Sequence, residues 1–243
     1  MSAHTAVPAG IGTATTRRQV FAWGLWDWGI GRVQCGDPHV RLLRVPHRRV
    51  GDDLPGTVSA STWLGWSLGI AGFVIAVTAP VSGQRYDATG RRKRSLAVLT
   101  FVTVAAMAGM YFVRDDHHYL WLGLVLLGVA SVIAELAQVP YNAMMRQIST
   151  EENIGRVSGF GWSMGYFGGI VLLLLCYTGF IAGDGDTRGF LALSTDDGTN
   201  IRLVALLAAV WFGVFAIPVL LAVPRTAPDR CRSRCGQGWP RRG

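Results

Sequence analysis

Few side chains in this sequence can do chemistry, and those that can are carboxylates and amides set among apolar residues. Glu135, Gln138 and Asn142 are spaced three and then four apart, which puts them on one face of a helix. Glu135 lies eleven residues before Arg146, about 16 Å along a helix axis and so near the middle of a bilayer. An ionised acid at that depth costs about 2.5–3.5 kcal/mol on insertion scales, so it must be protonated, paired or lining a wet cavity. The stripe can meet a proton or a solute in passage; a structural carboxyl hydrogen-bonded between helices is the other reading. Asp27, about 13 Å past Arg18, is a second candidate contact. The tryptophans on either side of it, Trp26 and Trp28, point to an interfacial depth, where an acid costs little.

The sequence offers no phosphate loop, no metal-ligand cluster and no nucleophile–base spacing, so neither an enzyme nor a cofactor or metal is expected. Cys231 and Cys235 have no further His or Cys beside them, and Asp184, Asp186, Asp196 and Asp197 do not follow the order of a calcium loop.

The elements that carry these residues are legible from hydropathy. Of the 243 residues 50% are hydrophobic and only 16% charged, a balance suited to a polytopic membrane protein. The net charge of +8 sits in short clusters between apolar runs and in the C-terminal tail, which reads as topology and not as a nucleic-acid surface. Apolar runs of about the 20 residues needed to cross a bilayer cover 59–81, 95–113, 119–145, 157–182 and 201–223. Arginine-rich connections alternate with acidic or mixed ones. The expectation is therefore a first span from Gln19, a membrane unit of spans two to six over 59–223, and cytoplasmic tails over 1–18 and 224–243. The protein would be a multi-pass protein of the cell membrane with both termini inside.

The stretch after Ile30 conflicts with that parity. "GRVQCGDPHVRLLRVPHRRV", from Gly31 to Val50, holds five arginines, two histidines and two prolines where a helix should continue. Its texture matches out-of-frame translation of GC-rich DNA, and a one-nucleotide shift of its codons permits an apolar string of the right length. A polar loop after a short re-entrant segment is the alternative. The expectation is a first span over 19–50, disrupted after about 31.

Three motifs add mechanism. "GQRYDATGRRKR" has the form G-x-x-x-D-x-x-G-R-R-K, and a plain basic loop rarely places Gly83, Asp87, Gly90, Arg91 and Arg92 at this spacing. Gly83 lets a helix end pack closely, Gly90 permits a tight turn, and Asp87 can pair with Arg91 or face a helix N-terminus. In "GRVSGFGWSMGYFGGI", Gly161, Gly165 and Gly169 recur every four residues and share a face, with Gly168 beside them. Small faces of this kind drive helix packing in lipid, and solute contact is the lesser reading. "FAWGLWDWGIG" at Phe21 to Gly31 and "VPYNAMMRQIS" from Val139 complete the set.

The first of these resembles the cytoplasmic loop motif of the major facilitator superfamily of transporters. The others resemble its vacuole-effluxer-like (autophagy-related) branch, with Trp23 and Asp27 matching and Gly31 standing where a small hydroxyl residue is usual. The resemblance implies an all-α polytopic membrane protein, the six-helix amino-terminal half of that fold with its first helix damaged. It further implies transport of a small polar solute, amino acids among the candidates, by a chain that is truncated and inactive or that works with a second six-helix half. A half-transporter acting as a dimer, or a membrane-embedded interaction protein without transport, are the alternatives.

Overall fold

A computed structural model describes residues 16–31, 60–89, 91–114, 119–183, 187–194 and 198–223. Six helices account for most of them: α1 (Arg17–Ile30), α2 (Ala60–Thr89), α3 (Arg92–Gly109), α4 (Leu120–Ile148), α5 (Ile154–Cys176) and α6 (Thr199–Ala222). A 3₁₀ turn at Met110–Phe112 ends α3, and a π turn at Tyr177–Ile181 extends α5. Between α5 and α6 a two-residue antiparallel pair, β1 (Thr187–Arg188) and β2 (Leu193–Ser194), closes a short hairpin.

Helix is the only open-ended way for these apolar runs to satisfy their backbone polar groups in hydrocarbon. The helices α2 to α6 are long and apolar enough to cross a membrane. Pro80, Pro140 and Pro218 sit inside α2, α4 and α6 without ending them. Much apolar surface stays outside the bundle: Trp66 is 66% and Phe73 72% exposed on α2, the span least covered by its neighbours. That is the distribution of a helix whose outer face meets lipid.

The structure departs from the sequence expectation at two places. The motif from Gly83 was expected to be a loop, but α2 continues through it to Thr89, so most of it is helical. No proline or glycine between Ser82 and Thr89 other than Gly83 interrupts the run, and α3 begins again at Arg92. Helix α1 stops at Ile30, where Gly31 takes a left-handed conformation (φ 61°) and its N–H closes on the Asp27 carbonyl at 3.0 Å. The suspected frame disturbance over 32–50, residues 1–15 of the expected tail over 1–18, the expected tail over 224–243, Gly90, Cys231, Cys235 and the four loop aspartates lie outside the described residues, while Arg17 and Arg18 open α1.

The packing has a plan. Helix α1 lies against α5 and α6, α4 lies against α2 and α3, and α3 lies against α6. Exchanging α1, α2, α3 with α4, α5, α6 leaves this pattern unchanged. Directions agree with the exchange. Along α1 and α5, Gly24 meets Phe160 and Met164, Gly161 meets Trp23 and Asp27, and Gly31 meets Gly169, so the two run parallel. Along α2 and α4, Ser67 donates to the Leu124 carbonyl (3.2 Å) and Gly83 faces Val139, again parallel. The short turn from Ile148 to Ile154 makes α4 antiparallel to α5, and α5 is parallel to α1, so the related helices α1 and α4 run in opposite senses. Two three-helix units related in this way form an inverted repeat.

Helices α3 and α6 are antiparallel and tied at both ends. The Lys93 ammonium donates to the Val223 carbonyl at 2.6 Å, just past the end of α6. Arg202 Nε donates to the Tyr111 carbonyl at 2.5 Å, just past the end of α3, with its guanidinium 4.6 Å from the Tyr111 ring centre. Each cation sits where the partner helix presents unsatisfied carbonyls and the negative end of its dipole.

The glycines of α5 set how near α1 comes. Gly161, Gly165, Gly168 and Gly169 are all buried. A Cβ at Gly168 would overlap the backbone of Trp28, and the overlapped atoms include its carbonyl oxygen. By contrast Gly159 has nothing within 4 Å. Gly168→Ala should therefore destabilise the bundle by about 1–3 kcal/mol through overpacking. Gly159→Ala should raise stability by about 0.5–1 kcal/mol through helix propensity. Thermal unfolding of the purified chain in detergent checks both.

Candidate functional site

The interior of the bundle is organised around one tyrosine. Along α4, Leu127, Ala130, Ala137, Tyr141, Met144 and Ile148 are buried at heptad-like spacing and form its inner face. Tyr141 is fully buried, and its ring lies between two indoles of α1. It stacks on Trp23 at 4.5 Å with the planes 4° apart, and on Trp26 at 4.3 Å with the planes 26° apart. Trp23 and Trp26 can flank one ring because they are three residues apart and so lie on the same side of α1. Phe212 of α6 packs edge-on against Trp26 at 5.6 Å.

Hydrogen bonds fix the stack. The Tyr141 hydroxyl donates to Asp27 Oδ2 at 2.7 Å and lies 3.2 Å from the Trp23 carbonyl. Trp23 Nε1 returns a bond to the Tyr141 carbonyl at 3.2 Å. Trp26 Nε1 donates to Thr100 Oγ1 of α3 at 3.0 Å, so the same tryptophan ties α1 to a third helix. Indoles buried in apolar packing normally find such partners, because an unpaired N–H in that setting is costly. Gly161 of α5 leaves room for the arrangement: a Cβ there would come within 2.5 Å of the Trp23 ring and 3.0 Å of Asp27 Oδ2.

Asp27 is only 1% exposed. It was read from the sequence as interfacial because tryptophans flank it, but it is inside the bundle. Trp26 is itself fully buried and Trp28 packs against Trp211 and Phe215 of α6, so these indoles are core residues and not a headgroup belt.

The remaining candidates fall elsewhere. Glu135 and Asn142 are exposed on α4 and Gln138 is half-buried, so the stripe turns away from the inner face that carries Tyr141. Gly83 sits inside α2, where a Cβ would stand 3.4 Å from Val139 of α4. Arg91 is exposed at the N-cap of α3 and Arg92 is half-buried in its first turn. The Asp87 side chain is outside what the structure describes, although its backbone belongs to α2. Gly161 and Gly169 face α1, and Gly165 is buried between them.

Sequence reasoning missed Tyr141, Thr100 and Lys93. Tyr141 stood inside a quoted motif but drew no role of its own, since a tyrosine in an apolar run carries no periodicity that names its partner. Thr100 gave no sign. Lys93 is the single lysine among 23 basic residues, and that oddity was the available hint.

The site thus joins three separate stretches: Trp23 to Asp27 in α1, Tyr141 in α4 and Gly161 in α5. Buried acids in membrane helices mark functional positions by default, because their cost is otherwise unrepaid. The fold and this cluster define an all-α polytopic membrane protein built as an inverted repeat of three helices.

Comparison with known proteins agrees. Residues 146–239 match the family described as vacuole effluxer Atg22 like. Over 204 residues the chain is 25% identical to an uncharacterized MFS-type transporter, YxiO, of Bacillus subtilis (strain 168), covering 84% of this chain and 46% of that protein. The chain therefore spans about half the length of the relative it matches. No solved structure matches it significantly. The chain is thus similar to a vacuole effluxer-like family in its carboxy-terminal part and to an MFS-type transporter over most of its length.

Removing the ring that lines the Tyr141 slot should cost far more than removing an outward aromatic of the same helix. Trp23→Ala is expected to lose about 3–5 kcal/mol of stability, while Phe21→Ala, at a half-exposed position, stays within about 1 kcal/mol. Thermal melts of the two variants in the same detergent make the comparison.

Proposed function

We propose that the chain is the amino-terminal six-helix half of a secondary transporter that carries a small polar solute across the cell membrane. The observation that carries this reading is the exchange symmetry of the bundle, α1 to α3 with α4 to α6, since such repeats rock against a second unit to alternate access. One half encloses no complete cavity, so the working protein needs a second six-helix unit, supplied by another chain or by a second copy.

In this reading Glu135, Gln138 and Asn142 meet the solute or its coupling proton, because they are polar groups on an open face of α4 and Glu135 falls near the middle of that helix. Asp27 is a further contact reached from inside the bundle. Gly83, Asp87, Gly90, Arg91 and Arg92 form the conformational switch between α2 and α3, and Gly161, Gly165 and Gly169 form the seam along which α1 moves on α5. The arginine-bearing ends near Arg17, Arg91, Arg146 and Arg156 face the cytoplasm, following the excess of cations inside. The resemblance to effluxers favours an amino acid as the solute.

Liposomes holding the purified chain and an internal pH dye test the carrier reading. Addition of an amino-acid mixture should produce a proton flux, and Glu135→Gln should lower it about tenfold or more and flatten its pH dependence. A flux and pH profile unchanged by Glu135→Gln would remove that residue from the pathway, and the absence of solute-driven flux would count against the chain as a carrier by itself. Orientation has its own check. A single cysteine placed at Arg91 should react with a membrane-impermeant maleimide only after cells are opened.

A further inference from the structure

The hairpin between α5 and α6 is tied to the end of α5 by its own turn. The N–H groups of Gly189, Phe190 and Leu191 donate to the carbonyls of Ala182 (2.6 Å), Thr178 (2.9 Å) and Gly179 (3.3 Å). Asn200, in the first turn of α6, donates from Nδ2 to the Phe180 carbonyl at 3.2 Å. Carbonyls that a helix leaves open at its C-terminus are thus closed by the chain that follows it. Glycine is needed at 189, where φ is 71° and a Cβ would overlap the Gly179 carbonyl.

These bonds set a depth, and two spans agree on it. The apolar stretch through α5 and its π turn is Ile154–Ile181, 28 residues, and Thr178 lies near its end, about 16 Å from its middle. The stretch through α6 is Thr199–Ala222, 24 residues, and Asn200 lies near its start, again about 16 Å from its middle. Half of a bilayer's hydrocarbon is about 15 Å thick, so the turn of the hairpin sits at the edge of the acyl chains. What it presents there is apolar. Phe190 is 92% exposed, and Leu191 is exposed beside it. Leu174 and Tyr177, on the last turns of α5, are exposed as well, so the outward apolar strip of that helix runs on without a break into the hairpin.

We propose that this turn is an interfacial anchor whose partner is phospholipid, with the Phe190 ring seated between the acyl chains and headgroups of the leaflet in which α5 ends. Aromatic side chains concentrate at that boundary, and a ring left in water at that depth would forgo the burial that lipid offers. Because the Phe190 backbone is bonded to Thr178, the seated ring also fixes the level of the α5 terminus in the leaflet. The inference stands apart from the carrier reading, since it concerns the bilayer and not a solute.

The experiment uses the full chain in vesicles of phosphatidylethanolamine and phosphatidylglycerol, with the photoreactive residue p-benzoylphenylalanine in place of Phe190 or, as a reference in water, in place of Thr150. Thr150 is exposed in the turn before α5, at the opposite end of that helix. After irradiation, mass spectrometry counts the phospholipid adducts at each position. The yield at 190 should exceed that at 150 about tenfold, the low end of what burying such a ring is worth. Equal yields overturn the proposal, because the turn then lies in water. A crosslink from position 190 to a second copy of the chain in place of the lipid adduct also overturns it, because the turn then faces protein.

Discussion

The rest of the structure depends on how closely α1 can approach α5. Lipid tails are as apolar as the helices, so nothing squeezes α1 into place from outside. Its hold comes from backbone contact at Gly168 and Gly169, from the Trp23 ring seated over Gly161, and from hydrogen bonds that close approach makes possible. With a methyl group at Gly161, the Trp23 ring could not lie where it does, and the slot for Tyr141 would lose one wall. The described α1 is only 14 residues long, so this contact has to do in a short span what longer helices spread over two membrane leaflets.

Proximity also explains why a buried carboxylate is tolerated. Asp27 receives its bond from a phenol whose ring is fixed on both faces, and the same two helices are crossed by the bond from Trp23 Nε1 to the Tyr141 carbonyl. The phenol thereby satisfies one oxygen of the carboxyl, Asp27 Oδ2, inside a low-dielectric interior where each bond that is made counts for more than it would in water. The cluster is at once the most polar part of the core and one of its most tightly packed parts.

The sequence made much of this readable, though unevenly. Long apolar runs separated by charge announce five spans, because crossing hydrocarbon imposes a length and a composition that few other constraints imitate. The glycine spacing of α5 announced a packing face for the same reason. What hydropathy cannot supply is the partner. Tyr141 and Trp23 are 118 positions apart, and neither has a neighbour that names the other. The tryptophans beside Asp27 were misread because an indole is equally at home at a headgroup or around a buried ring, and only packing distinguishes the two. The motif after Gly83 read as a loop because its charges and glycines signal an end, yet its residues between the glycines are compatible with helix and α2 simply continues.

The ties between α3 and α6 have a chemical asymmetry with a consequence for how such a protein can vary. At each end the donor is a side chain, Lys93 or Arg202, and the acceptor is a main-chain carbonyl, at Val223 or Tyr111. A carbonyl is present whatever residue occupies the position. Substitution at the receiving ends can therefore drift freely in identity without dissolving the tie, whereas drift at the two giving positions is confined to long cations. Selection on this helix pair is thus one-sided, and its record would be written in two columns of an alignment rather than four.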